Sequence, residues 1–243
     1  MKPRLNPARP HATAWRVSAL ALLGAISGGA EAQTPAPRFE SEIAAFAGRQ
    51  TDIAAHCPIL FVGSSSIRLW GALNDDMAPA SVLNRGFGGA TIADINAHFD
   101  VLVTAARPWA IFFYAGENDI ADGATPEAVV ASFTAFLDRK DAALGATPVY
   151  FISLKPSIAR AQQRAAQRAV NTRIRALARA RRDLHYVDVA SAMMANGTVR
   201  DIFVEDGLHM TPEGYDIWRR VIRPLVVRET ARARAPCAPA EAR

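Results

Sequence analysis

The feature that most constrains this chain is the order of its apolar runs. Ile59 to Val62, Ser81 to Leu83, Trp109 to Tyr114, Val149 to Leu154 and Leu184 to Val189 are short, rich in branched and aromatic residues, and bounded by proline or glycine. Runs of that length and composition are buried strands. Helical periodicity or composition fills Phe39 to Ala55 before the first of them, and Ile92 to Ala105, Pro126 to Leu144, Ile158 to Arg182 and Pro212 to Arg228 around the rest. Thr125 with Pro126 and Thr211 with Pro212 each give a capping hydroxyl followed by proline at the first helical position, so two helix starts are sharply marked. Strands that alternate with helices form a parallel sheet covered on both faces. At 243 residues, 50% hydrophobic and 21% charged, the chain has the composition of one globular domain.

The first 32 residues read differently. Lys2, Arg4, Arg9 and Arg16 precede the apolar stretch Val17 to Ala25, and Ala30, Glu31, Ala32 come after it. A basic region, an apolar region and a small-residue site in that order are a secretory signal peptide, here with cleavage after Ala32. The expected division is a signal peptide at 1–32, a linker and N-terminal helix at 33–57, a catalytic domain at 58–228 and a tail at 229–243. A secreted or periplasmic location is the consequence. The leader carries four basic residues and one acidic residue, so the formal charge of +5 falls to +2 once it is removed. Nucleic acid is therefore not an expected partner. Arg160, Arg164, Arg168, Arg175 and Arg179 mostly recur at three- or four-residue spacing opposite Ile158, Ala165, Ile174 and Leu177, which reads as a solvated helix face. Outside the leader no run approaches the roughly 18 apolar residues of a membrane span, so no stable insertion is expected.

Ligands of an open parallel sheet bind beyond the carboxyl ends of its strands. The segments at those ends are polar and rich in glycine: Gly63 to Trp70 after the first apolar run, Asn84 to Thr91 after the second, Ala115 to Asp119 after the third, and Asp206 to His209 before the last helix. A serine hydroxyl needs a base to take its proton and a third group to orient that base. Ser65, His209 and Asp206 supply the three, and three residues of separation let the carboxylate fold back onto the imidazole. The oxyanion of a tetrahedral intermediate needs donors, for which the Ser65 and Gly89 amides and the Asn118 side chain are the candidates. Gly86 to Thr91 misses the third glycine of a dinucleotide loop, and Gly63 to Ile67 misses the second glycine of the GxSxG elbow. His56, His98 and His185 stand in no ligand pattern. Trp70 and Tyr215 read as packing residues, while Asp119, Asp188 and Lys155 sit at strand ends without an assigned role.

These four clusters, in this order, resemble the SGNH (GDSL-like) hydrolases, a superfamily of esterases and lipases, over about Pro58 to Tyr215. The resemblance implies a flavodoxin-like three-layer α/β/α sandwich with a five-stranded parallel sheet, no metal and no cofactor. It makes Ser65 the nucleophile, Gly89 and Asn118 oxyanion donors with Ser65, and Asp206 and His209 the rest of the triad. One position departs from the pattern: Ser64 stands where the family's first block usually has Asp, in a string that resembles a serine-rich subgroup. The activity implied is hydrolysis of carboxylic esters, of a small molecule, saccharide or lipid, with a short acyl group. Acyl transfer to a glycan by the same triad and a non-catalytic glycan-binding surface protein are the alternatives. The topology would also bring Cys57, ahead of the first strand, toward Cys237, beyond the last helix, and export permits the disulfide.

Overall fold

The computed structural model describes residues 39–48 and 58–232. The leader, the linker, Cys57 and Cys237 lie outside the described residues, and so do the expected cleavage site and disulfide. In chain order the elements are α1 (Glu40–Ala47), β1 (Ile59–Gly63), α2 (Ser65–Arg68), α3 (Leu73–Met77), β2 (Val82–Gly86), α4 (Ile92–Ala97) and β3 (Ala110–Tyr114). They continue with α5 (Glu117–Ala121), α6 (Pro126–Leu144), β4 (Val149–Ile152), α7 (Arg164–Ala180), β5 (Leu184–Val187), α8 (Val189–Ala192), the small hairpin β6 (Met194–Ala195) and β7 (Thr198–Val199), and α9 (Pro212–Arg232). A π turn at Asp100–Thr104 and a 3-10 turn at Ala161–Gln163 precede β3 and α7.

The five long strands pair in the order β2-β1-β3-β4-β5, every pairing parallel. This is the three-layer sandwich of the SGNH hydrolases. Strand side chains alternate between faces, so one apolar run feeds two cores. Leu60, Val62, Ile111, Phe113 and Phe151 pack with Phe133 and Phe136 of α6 and Ile92 and Ile95 of α4. Ile59, Phe61, Phe112, Tyr150 and Ile152 pack with Trp70 and with Trp218 and Ile222 of α9. On this second face Phe61, Phe112, Tyr150 and His185 stack across four strands, with ring centroids 4.8, 4.6 and 4.6 Å apart. Trp70 and Tyr215 pack here as well, their rings 5.5 Å apart.

Helix α6 starts where Thr125 and Pro126 place it, with the Thr125 hydroxyl accepting from the Ala128 N–H. Helix α9 runs to Arg232, four residues past the expected Arg228, because the buried Glu229 carboxylate accepts from the Tyr150 hydroxyl at 2.6 Å and fixes the extra turn. The expected helix from Ile158 begins instead at Arg164. The Ile158 and Ala159 N–H groups both donate to the Gly207 carbonyl at 3.0 Å, which holds residues 155–160 as a strap across the upper rim of the sheet.

Candidate active site

Ser65 owes its position to the centre of the sheet. β1 ends at Gly63, a Cβ at which would lie 2.0 Å from the Tyr114 carbonyl oxygen, so only glycine lets β1 turn away there. The Ser64 N–H then donates to that same carbonyl at 2.9 Å, and Ser65 opens α2. The Ser64 side chain makes no capping bond. On the far side of the helix the Tyr215 hydroxyl donates to the Ser66 carbonyl at 3.0 Å, which ties α2 to α9.

The loop ahead of α9 is clamped at its base by the antiparallel bridge of Phe203 with Met210 and by the Val204 N–H donating to the His209 carbonyl at 2.8 Å. Gly207 turns the loop back at φ +64. Asp206 Oδ1 then accepts from the Leu208 and His209 N–H groups at 2.8 and 2.9 Å, while its Oδ2 lies 2.5 Å from His209 Nδ1. Partial burial alone would raise the Asp206 pKa, yet those two amides and the imidazole bring it down to about 2. His209 Nε2 lies 2.9 Å from Ser65 Oγ, across 144 residues of sequence. With a carboxylate fixed on Nδ1, that nitrogen carries the imidazole proton, and Nε2 is left as the acceptor facing the hydroxyl.

The strand order places the turns after β2 and β3 on either side of Ser65. Gly89 sits in the first at φ +73. Asn118 sits in the second, on α5, and its Nδ2 donates to the Ala90 carbonyl at 2.9 Å, so the two candidate donor segments are bonded to each other. Asp119 adds a second tie, since both its oxygens accept from the Ile92 N–H at 3.1 and 3.2 Å. Burial raises the Asp119 pKa, and the Ile92 amide opposes the rise.

Three features of the site escape a sequence reading. Lys155 and Glu117, 1% and 4% exposed, form a buried ion pair at 2.9 Å beneath the Asn118 turn. Burial, with the Glu117 charge added, pushes the neighbouring Tyr114 hydroxyl well above its ordinary range. Arg160, expected on a solvated helix face, is half-buried on the strap and donates from Nη2 to Asn118 Oδ1 at 2.8 Å. Only the placement of Lys155 directly after a strand hinted at this layer. Among the described residues, no group of three or more His, Cys, Asp or Glu side chains gathers as metal ligands would. No described helix is long and apolar enough to cross a membrane.

Comparison with known proteins bears on the family and the fold. The sequence model of the GDSL-like Lipase/Acylhydrolase family matches residues 53–217. Among solved structures, a GDSL-like lipase from Bacteroides thetaiotaomicron superposes with a TM-score of 0.63 at 22% identity, over 79% of this chain and 96% of its own. A carbohydrate esterase of family 3 from Talaromyces cellulolyticus gives 0.57 at 18% identity, over 70% and 96%. An acetyl-xylooligosaccharide esterase from Geobacillus Stearmophilus gives 0.57 at 14% identity, over 72% and 95%. No curated protein matches the sequence.

Proposed function

Because the chain belongs to the GDSL-like lipase/acylhydrolase family, we propose that it is an exported serine esterase that cleaves carboxylic esters of short acyl groups through a covalent acyl-enzyme. Ser65 Oγ attacks the ester carbonyl as His209 Nε2 takes its proton, and Asp206 holds the imidazole in the required tautomer and stabilises its charged form. The oxyanion is met by the Ser65 and Gly89 amides and by Asn118 Nδ2. His209 returns the proton to the departing alkoxide, and the alcohol leaves. A water, deprotonated by the same imidazole, then releases the acid and restores Ser65.

The observation that carries this reading is the relay of 2.9 Å from Ser65 Oγ to His209 Nε2 and 2.5 Å from His209 Nδ1 to Asp206. Export rests on the leader at 1–32, and a short acyl group on the likeness to an acetyl-xylooligosaccharide esterase. The test is hydrolysis of chromogenic acetate and longer acyl esters by the protein and by Ser65→Ala. The expected result is a preference for the acetate and loss of nearly all turnover in the variant, and equal turnover in both would overturn the proposal. Product analysis with a saccharide acceptor separates hydrolysis from acyl transfer.

A further inference from the structure

An oxyanion donor works only if its N–H points at the developing charge before the charge appears. A side-chain amide is ambiguous in this respect, since its oxygen and nitrogen ends have nearly the same shape. At Asn118 the two neighbours remove the ambiguity. The Ala90 carbonyl can only accept, and it faces Nδ2 at 2.9 Å. The Arg160 guanidinium can only donate, and it faces Oδ1 at 2.8 Å. A flipped amide would set oxygen against oxygen and N–H against N–H. One Nδ2 hydrogen goes to Ala90, and the second is the one that the esterase reading assigns to the oxyanion.

We infer that Arg160 is a positioning residue for the oxyanion hole: it locks the Asn118 amide with its nitrogen toward the reacting carbonyl and polarises it through a charge-assisted hydrogen bond. This deepens the esterase reading above and rests on it. A hydrogen bond to an ionised donor is roughly twice as strong as a neutral one, and it draws electron density from the amide, so the free N–H becomes a better donor. The strap that carries Arg160 is fixed at both ends. The Lys155 ammonium is buried on Glu117, the residue before Asn118, and the Ile158 and Ala159 N–H groups hold the Gly207 carbonyl inside the Asp206 to His209 loop. Residues 155–160 therefore couple the base and the oxyanion donor through one short segment. The guanidinium also sets a fixed positive charge behind the amide, on the side away from Ala90.

The experiment is a double-mutant cycle on an activated acetate ester, with Ser65→Ala assayed beside it. Arg160→Met keeps the apolar stem of the side chain and removes its donors. It should lower kcat about tenfold, the rate equivalent of one net hydrogen bond, with KM within about twofold. Arg160→Lys should recover part of the loss, because one donor and the charge remain. Asn118→Ala alone should cost about 10²- to 10³-fold. In that background Arg160→Met should cost less than about twofold, because the group it acts through is gone. A loss that persists undiminished in the Asn118→Ala background, or one confined to KM, would overturn the inference and leave the triad standing. Undiminished turnover in Ser65→Ala would remove the esterase reading and this inference with it.

Discussion

The ion pair beneath the site allows a prediction with a magnitude. Glu117 and Lys155 are almost fully buried, their charges 2.9 Å apart, and the ammonium lies 5.8 Å from the centroid of the Tyr114 ring. Replacing Glu117 by Gln keeps the shape and an accepting oxygen but removes the countercharge, so Lys155 must stay charged in a dry site or lose its proton. Breaking a buried pair from one side costs about 3 to 5 kcal/mol, and the retained amide oxygen puts Glu117→Gln at the lower end, about 3 kcal/mol. For a domain of this size that lowers Tm by about 6 to 12 °C. Lys155→Met combined with Glu117→Gln removes the stranded charge, and at least half of the lost stability should return. Urea unfolding at neutral pH, followed by circular dichroism with an unchanged m-value, reads both effects. If Glu117→Gln stays within about 0.5 kcal/mol of the parent, or the double variant loses the sum of the two single losses, the pair does not carry the energy assigned to it here.

A second buried cation makes stability depend on acid. Lys140 is fully buried against Asp183 and Asp141, and Arg181 also pairs with both. Arg181 foremost, then Lys140, hold the Asp183 carboxyl far below its ordinary range, so its contribution is complete above the unfolded value of about 3.9 and fades as the pH drops below it. Asp183→Asn should therefore cost about 2 kcal/mol at pH 7, a difference that holds down to about pH 4 and shrinks steadily as the pH falls further in urea titrations, and a difference independent of pH would contradict this. Gly86 tests the packing that seats the nucleophile, because a Cβ there would lie 2.3 Å from the Arg68 amide nitrogen of α2. Gly86→Ala should displace α2, lower stability by about 1 to 3 kcal/mol and reduce kcat more than tenfold, and a variant with parental kcat would refute it.

How much of the molecule was legible in the sequence depends on the range of each interaction. β1, β3 and α6 could be read because apolar runs and a Thr-Pro cap are local signals, and they appear within a residue of their expected places. β2 lies later than expected, Val82–Gly86 rather than Ser81 to Leu83, because it is an edge strand that accommodates Asn84 and Arg85. Arg85 is nonetheless buried, its guanidinium 4.9 Å from the ring of Phe46 on α1, so a charge that looked like a loop residue belongs to the core. Asp206 and His209 declared themselves by their spacing within one loop, and Ser65 by the turn after a strand. Arg160 did not, because its partner is 42 residues away and helical periodicity gave it a bland explanation. That periodicity holds for α7 itself, and it misleads at Ile158 because the Gly207 carbonyl takes the N–H groups of a strap rather than of a helix.

Activation of the Ser65 hydroxyl by His209 across the rim of the sheet is the central claim. Its most direct measurement is the mass of the intact protein after exposure to a fluorophosphonate, combined with peptide mapping. The expected result is one adduct per chain, located on Ser65, formed slowly or not at all in His209→Ala. An adduct on another residue, or labelling of Ser65 at the parental rate without His209, would contradict it.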